Sequence, residues 1–155
     1  MSPLLFVLVM EALGRMLDKA FYDGHMLGFG VGSEEGRSSV SHLLFADDTL
    51  IFCGADLDQV LFLRMILIWF EVVSELKINL DKSELVPVGM VDNLDLLLIV
   101  LGCKQGTHPM KYLGLPLGAK IQGKGNMEPN SGEDRSKISR METFVLIQGR
   151  ESHFN

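Results

Sequence analysis

The chain has 155 residues, of which 47% are hydrophobic, and a formal net charge of −6 at pH 7. This length predicts one domain, and the acidic balance argues against binding nucleic acid through the chain's own basic surface, because affinity for phosphates comes mainly from clustered Lys and Arg. Two cysteines exclude a disulfide framework, and with the four histidines they form no zinc-site spacing. No apolar stretch is long enough for a membrane span, and we expect an intracellular protein with reduced thiols, nuclear or cytoplasmic.

The first predicted element is a long helix over residues 3–20. Ser2 and Pro3 form a typical N-cap and first-turn pair, and apolar residues continue to Leu17. The first half of this helix is apolar on nearly every side, which predicts burial on several faces. A strand weakened by glycines over 27–31 and a polar loop over 33–39 follow.

The next element is an apolar run over residues 42–53 that two adjacent aspartates interrupt. Two apolar runs separated by a short polar pair predict a β-hairpin with Asp47 and Asp48 at its tight turn. Neighbouring carboxylates are costly to desolvate without a cation, and nucleotidyl transfer uses divalent metals to position the attacking and leaving oxygens. On the dipeptide alone an ordinary Asp-Asp turn is the simpler explanation, because Asp tolerates turn geometry.

Two further helices and several short strands are predicted downstream. Asp56 is expected to cap a helix over 57–75, whose apolar positions at Leu61, Met65, Ile68 and Val72 keep helical spacing. Short strands are expected over 78–80 and 85–86, and a helix over 92–101 has a core face made of Leu94, Leu97, Leu98 and Leu101. A last strand region begins at 112. The alternation of helices with antiparallel hairpin strands predicts the α+β class.

Four segments, in order, resemble the reverse transcriptase of LINE-type, non-LTR retrotransposons. They are the Ser-Pro helix start at 2–13, Phe-Ala-Asp-Asp at 45–48, Lys-Ile-Asn-Leu-Asp-Lys-Ser at 77–83 and Tyr-Leu-Gly-Leu-Pro-Leu-Gly at 112–118. The resemblance covers residues 1–119 and implies a partial reverse-transcriptase palm of ferredoxin-like fold, with antiparallel hairpin strands and packed helices. It also implies an RNA-directed DNA polymerase that uses an RNA or DNA primer-template, dNTPs and Mg²⁺.

The same resemblance implies roles for individual residues. Asp47 would bind the catalytic Mg²⁺, and Asp48 would help hold a second ion or only shape the turn. Lys82 would protonate the leaving pyrophosphate, or it is an ordinary solvated turn lysine. The residues expected beside the nucleotide or primer are Ser2, Pro3, Phe45, Ala46, Tyr112 and Gly114. The family's third carboxylate lies on a strand upstream of the Ser-Pro helix, so the set of catalytic acids is expected to be incomplete here.

Several other side chains are expected to serve packing alone. Leu43, Leu44, Leu50 and Phe52 are assigned to the core of the hairpin strands. Trp69 and Phe70, although aromatic, lie within an apolar helix and are assigned to packing rather than to base stacking. Cys53 is interpreted as a small buried hydrophobe rather than a nucleophile.

Residues 120–155, the C-terminal tail, differ in character from the rest. Positions 120–140 are rich in Gly, Lys, Asn, Glu and Ser without a hydrophobic period. We expect the tail to be disordered, or only loosely helical near 141–147. Permitted codons for the tail, read one nucleotide later, give a string with Trp-Lys and Gly-Gly-Arg patterns that resembles the segment following this palm. A frameshift near Ala119 is therefore predicted.

These observations leave three functions open. The first is a fragment of a retrotransposon reverse transcriptase that is inactive alone, a reading that the expected truncated start and shifted tail favour. The second is a non-catalytic protein-interaction module retained from such a palm, with the apolar Ser-Pro helix as its contact surface. The third is an enzyme completed by another chain that carries the missing acid.

Overall fold

The computed structural model describes residues 2–31, 35–36, 38–107, 110–112, 115–117, 142–147 and 150–152, with side chains over 2–30, 35–36 and 38–107. Its helices are α1 (Pro3–Tyr22), α2 (Leu57–Ser74) and α3 (Leu94–Leu101). Its strands are β1 (Phe29–Val31), β2 (Ser38–Val40), β3 (His42–Phe45), β4 (Asp48–Gly54), β5 (Leu76–Ile78), β6 (Glu84–Val88), β7 (Lys104–Gln105), β8 (Met110–Tyr112), β9 (Leu115–Leu117), β10 (Glu142–Ile147) and β11 (Arg150–Ser152). Helices mixed with short antiparallel hairpins confirm the predicted mixture of helix and strand.

Five strands form the main sheet, in the order β3-β4-β10-β6-β7. β10 pairs antiparallel with both β4 and β6, so β4 and β6 run parallel to each other with β10 between them. The chain passes from β4 to β6 through α2 and β5. The other described strands form three two-stranded ribbons, β1-β2, β11-β5 and β8-β9.

The position of β10 corrects the prediction for residues 141–147. Instead of disorder or a loose helix, Glu142–Ile147 is the central strand of the main sheet, with Phe144 opposite both Phe52 and Val86. Its sequence, Glu-Thr-Phe-Val-Leu-Ile, is rich in β-branched and aromatic residues, which favour strands. β4 and β6 are separated by the width of one strand, so their facing backbone N–H and C=O groups can pair with an extended segment that lies between them. The rest of the tail, apart from β11, lies outside the described residues, and the frameshift stays a prediction.

Packed side chains cover both faces of the main sheet. On one face, Ile51 and Cys53 of β4 pack in the core that α1, α2 and α3 also line. On the other face, Leu50, Phe52 and Val86 pack against Phe29 and Val40 of the β1-β2 ribbon. Because successive side chains of a strand point to opposite faces, β4 is buried on both sides from Thr49 to Cys53.

α1 confirms the predicted helix but corrects its predicted burial. It extends to Tyr22, and its second half is buried at Leu13, Leu17 and Ala20. The apolar side chains of its first two turns are exposed instead of buried: Leu4, Leu5, Val7 and Leu8. Apolar residues are nearly continuous in these turns, so the sequence pattern does not distinguish the exposed part of the helix from the buried part.

α2 begins at the predicted residue and ends one residue earlier than predicted, at Ser74, but it buries a different face. Its cap is confirmed, since the Asp56 carboxylate accepts a hydrogen bond from the Asp58 N–H at 3.2 Å. The positions noted for their helical spacing are between 44% and 67% exposed: Leu61, Met65, Ile68 and Val72. The buried side chains are Val60, Leu63, Ile66, Leu67 and Phe70. α2 is apolar on most sides, so spacing alone does not identify the buried stripe.

α3 confirms its predicted core face. Leu97 and Leu101 are buried, and Leu94 and Leu98 pack partly buried against the same core. The helix ends at Gly102, whose φ of 79° is left-handed and whose N–H donates to the Leu98 carbonyl at 2.8 Å. Within the described part of the chain, no helix is both long enough and apolar enough to cross a membrane.

Candidate active site

The hairpin that carries the two aspartates joins β3 to β4 through a two-residue turn. Phe45 pairs with Asp48, so Ala46 and Asp47 form the loop. Ala46 has a φ of 46°, in the left-handed region. A positive φ at the first loop residue suits the right-handed twist of paired strands but normally favours glycine, and a non-glycine residue there costs about 1–2 kcal/mol. The predicted hairpin is thus present, and it holds Asp47 at its tip at a cost in backbone strain.

The two aspartates differ in exposure. Asp47 is exposed at the turn, and Asp48 is half-buried as the first residue of β4. By the alternation of side chains along β4, Asp48 lies on the same face as Leu50 and Phe52. Phe45, directly opposite Asp48, shares this face and is 58% exposed. The pair of acids is therefore bordered by an accessible aromatic ring.

The core assignments for the hairpin strands hold with one correction. Leu50 and Phe52 are buried, and Leu44 packs partly buried against the helices. Leu43 is 43% exposed and does not belong to the core. β3 is an edge strand of the main sheet, so side chains on its outer face have a neighbouring strand on one side only.

The sheet topology brings Lys82 to the same edge as the aspartates. β4 and β6 are parallel, so the turns that precede them lie at one edge of the sheet, with β10 between them. Lys82 lies in the turn before β6, where its backbone N–H donates to the Asn79 Oδ1 at 3.1 Å, and its side chain is exposed. Two strand spacings, about 10 Å, separate β4 from β6.

Glu84 is a further acid on this face, and it was not singled out from the sequence. It is the first residue of β6 and lies opposite Leu146, which also pairs with Leu50. This register places the backbones of Asp48 and Glu84 about 12 Å apart, whereas a metal ion binds its oxygen ligands at about 2.0–2.6 Å. Among the described side chains, no three from His, Cys, Asp and Glu are grouped so as to hold a metal ion.

α1 runs antiparallel to β3 and past the hairpin. Near its middle, a Cβ placed on Gly14 would lie 3.3 Å from Leu44 and 3.4 Å from His42, so the helix packs closely on the strand. One turn later, Asp18 lies 3.4 Å from the Ser41 hydroxyl, which donates to its carboxylate. The N-terminal direction of α1 therefore corresponds to the C-terminal direction of β3, which leads to the turn that carries Asp47.

The N-terminus of α1 carries two of the predicted nucleotide-side residues. Ser2 is the N-cap, as predicted, because its Oγ accepts a hydrogen bond from the Leu5 N–H at 3.2 Å, and Pro3 occupies the first turn. Both are exposed. At 1.5 Å per residue, Ser2 lies about 18 Å from Gly14 along the helix axis, so the first turns of α1 extend beyond the hairpin tip.

Tyr112, another predicted primer-side residue, belongs to a strand outside the main sheet. Tyr112 ends β8 and pairs with Leu115 of β9 in a separate ribbon. Gly114 lies outside the described residues. The hairpin and Lys82 thus lie at one sheet edge. The position of Tyr112 and Gly114 near that edge stays a prediction.

His42 and the cysteines show how burial sets protonation around the site. The His42 Nδ1 lies 2.8 Å from the Ser41 Oγ and 3.7 Å from the Asp18 carboxylate. Burial lowers the pKa of His42, against a smaller raising effect of Asp18, so the imidazole is neutral at pH 7. Burial raises the pKa of Cys53 to about 12 and that of Cys103 to about 11. Both thiols are therefore protonated at pH 7, as the interpretation of Cys53 as a buried hydrophobe requires.

Comparison with known proteins identifies the family. A family model described as reverse transcriptase (RNA-dependent DNA polymerase) matches residues 1–117. Searches of curated proteins and of solved structures returned no match. The matched range includes α1, the Asp47-Asp48 hairpin and the Lys82 turn, and it spans well over half of the 155 residues. The chain belongs to the reverse transcriptase (RNA-dependent DNA polymerase) family.

Proposed function

We propose that residues 1–119 are a palm segment of a LINE-type, non-LTR reverse transcriptase, and that the 155-residue chain does not synthesise DNA on its own. The observation that carries the proposal is the hairpin, which presents Asp47 and Asp48 at one sheet edge inside the family match. The β4-α2-β6 connection with an antiparallel strand between its parallel strands supports a ferredoxin-like palm.

Asp47 and Asp48 are the residues that would hold the divalent ion. In nucleotidyl-transfer sites Mg²⁺ is usually bound by one or two carboxylates together with substrate phosphates, and it stabilises the charge on the reacting oxygens. Two adjacent acids, one exposed and one half-buried, fit that partial role. Lys82, exposed at the same sheet edge, would give a proton to the leaving pyrophosphate in the intact family enzyme.

The remaining predicted residues would shape the substrate side. The exposed ring of Phe45 and the backbone of Ala46 border the acids, so they would contact the incoming nucleotide or the primer end. Ser2 and Pro3 would lie at the nucleotide side through the N-terminus of α1, and Tyr112 and Gly114 would contact the primer. These contacts belong to the intact family enzyme, whose substrates are a primer-template and dNTPs.

The proposal of inactivity follows from the arrangement of the acids. The backbone of Glu84, on the same face, lies about 12 Å from that of Asp48. Of these three acids, only Asp47 and Asp48 therefore have carboxylates close enough to each other to bind one ion. Nucleotidyl transfer depends on near-exact alignment of the ions and the primer end, and misplacement by about 1 Å already costs about 100-fold in rate. With a net charge of −6, we also expect primer-template affinity no tighter than about 10⁻⁴ to 10⁻⁶ M.

Manganese titration followed by electron paramagnetic resonance tests the metal role. We expect weak binding by the chain and loss of that binding in an Asp47→Asn/Asp48→Asn variant. Asp92→Asn is the matched control, because Asp92 is an exposed acid in the loop after β6, at the opposite edge of the sheet. Equal binding by the double variant and the unmodified chain would contradict the assignment of the acids.

Primer extension tests the proposal of inactivity. The purified chain with primed RNA template, dNTPs and Mg²⁺ should incorporate nothing above a blank. Incorporation that Asp47→Asn removes and Asp92→Asn retains would show an active polymerase, and it would overturn this part of the proposal while supporting the metal-binding role.

A second candidate function is a non-catalytic interaction module. The exposed apolar side chains of Leu4, Val7 and Leu8 on the first turns of α1 favour it, since grouped apolar side chains on a surface often mark partner sites. The two functions differ in the manganese titration, because an interaction module requires no ion at Asp47 and Asp48.

A further inference from the structure

α2 presents an apolar stripe on the side opposite to the core. Its members are Leu61, Met65, Ile68 and Val72, each at least 44% exposed. Trp69 borders the stripe and is 57% exposed, so its predicted assignment to packing is wrong, whereas that of Phe70 is confirmed. The other side of the helix is buried, including Leu63 and Phe70 at 0% and 1% exposure. α2 therefore has one face in the core and a second apolar face in contact with solvent.

The spacing of the stripe is that of a helix–helix seam. Its members follow at intervals of four, three and four residues, the alternation with which one helix packs against another along its length. The positions of the stripe residues in the sequence are also symmetric about the midpoint between Ile66 and Leu67. In an antiparallel pair of α2 helices, Leu61 lies opposite Val72 of the other copy, and Met65 lies opposite Ile68. The stripe is thus complementary to itself under a two-fold axis, as an isologous interface requires.

The charges beside the stripe select the same antiparallel pairing. Arg64 lies between Leu61 and Met65, and Glu71 lies seven residues later on the same flank, between Ile68 and Val72. Antiparallel pairing of the stripe places Arg64 of each copy beside Glu71 of the other, so two opposite-charge pairs form by symmetry. Both side chains are half-buried, and the Glu71 Oε1 accepts a hydrogen bond from the Ile78 N–H at 2.8 Å, so one oxygen of this carboxylate is used within its own chain.

We infer that α2 is a self-association surface on which a second copy of this chain docks, its own α2 antiparallel to the first. Trp69 lies on the other flank of the seam, where aromatic side chains commonly contribute most to an interface. One helix pair is smaller than the interface of a permanent complex, so the dimer forms reversibly at micromolar or higher protein concentration. This inference rests on the face of α2 and is independent of metal binding at Asp47 and Asp48.

Sedimentation equilibrium of the full chain over a concentration series tests the inference. We expect a reversible monomer–dimer equilibrium, and Met65→Lys should raise the dissociation constant at least about tenfold by placing an unpaired charge in the seam. Val73→Lys is the control, because Val73 is an exposed apolar residue on the same helix outside the stripe. A chain that remains monomeric to its solubility limit, or a dimer that Met65→Lys leaves intact, would overturn the inference.

A charge exchange tests the antiparallel register separately. Arg64→Glu and Glu71→Lys should each weaken self-association, whereas a mixture of the two variants should form a heterodimer, because both charge pairs are then opposite in sign. Circular dichroism shows whether each variant keeps its fold. If Glu71→Lys unfolds by losing its bond to Ile78, the loss of self-association in folded Arg64→Glu still decides, and a dimer unchanged by that variant counts against the inference. Binding of the stripe to lipid vesicles without dimer formation would also overturn it.

Discussion

Ala46 combines a left-handed backbone with a side chain that disfavours it, at the turn that presents Asp47. Its φ of 46° costs an alanine about 1–2 kcal/mol, whereas glycine adopts it freely and loses about 0.5–1 kcal/mol through unfolded-state entropy. We therefore expect Ala46→Gly to raise the free energy of unfolding by about 0.5–1 kcal/mol in urea denaturation. Ala12→Gly, in the interior of α1, should lower it by about 1 kcal/mol. Destabilisation by Ala46→Gly would show that the turn is not strained.

His42 predicts a pH dependence of stability. Its pKa in the folded chain lies below the ordinary value of 6.5, chiefly because of burial. The unfolded chain therefore binds the proton first as the pH falls, so the His42 contribution is constant above about pH 6.5 and is lost as the pH falls through the folded pKa. Denaturation between pH 8 and 5 should show a smaller loss of stability in His42→Gln. An unchanged loss of stability in His42→Gln would contradict the assignment of this pH dependence to His42.

The two aspartates of the candidate site could be predicted from the sequence, because they belong to a short local motif. Two acids between apolar runs predicted the hairpin, and the structure places Asp47 in its turn, whereas Asp48, also predicted in the turn, is the first residue of β4. Glu84 was not recognised as a neighbour on the same face, because that relation depends on the register of β10 with β4 and β6. A register between strands nearly 100 residues apart leaves no local pattern in the sequence.

At the scale of elements, α3 offers two neighbouring leucines in opposite environments. Leu97 is 1% exposed and Leu96 is 43% exposed on the same helix. Leu97→Ala should lower the free energy of unfolding by about 2–5 kcal/mol through the lost apolar contacts and the cavity, and Leu96→Ala should change it by no more than about 0.5 kcal/mol. Urea denaturation of the two variants checks the packing face of α3, and similar losses would contradict it.

Helix ends followed from local signals, whereas strand bounds and buried faces did so only in part. The strand predicted over 78–80 is β5, Leu76–Ile78, and the predicted loop over 33–39 runs into β2, Ser38–Val40. Ser2, Asp56 and Gly102 marked helix ends correctly because caps and left-handed glycines act within one turn. The core face of α3 was predicted from its i, i+3, i+4 spacing, although Asp95 is the one polar residue of this helix. α2 has little contrast, so its solvent-facing stripe had the same spacing as a core stripe. The choice between the two faces is made by the neighbouring elements.

For the molecule as a whole, the sheet order was the feature that sequence reasoning missed. The helix–strand mixture followed from periodicity, but the central position of β10 did not, because it joins residues 142–147 to strands that begin at 48 and 84. An apolar, β-branched run pairs with an available strand slot whatever its origin. Ordering of β10 is therefore compatible with the predicted frameshift, which sequencing of the locus would test by the Trp-Lys and Gly-Gly-Arg string in the neighbouring frame.

The central position of β10 makes the last prediction. Val145 pairs with Ile51 on one side and with Leu85 on the other, so a proline there removes a backbone donor from the middle of the sheet. Val145→Pro should lower the free energy of unfolding by about 3 kcal/mol or more, and removal of residues 142–155 should have at least the same effect by exposing both β4 and β6 as edges. Val145→Ile, which keeps the donor, the β-branch and the apolar character, is the control. Urea denaturation and hydrogen exchange of β4 amides measure the change. If the truncated chain and Val145→Pro are as stable as the full chain, the sheet does not depend on its central strand.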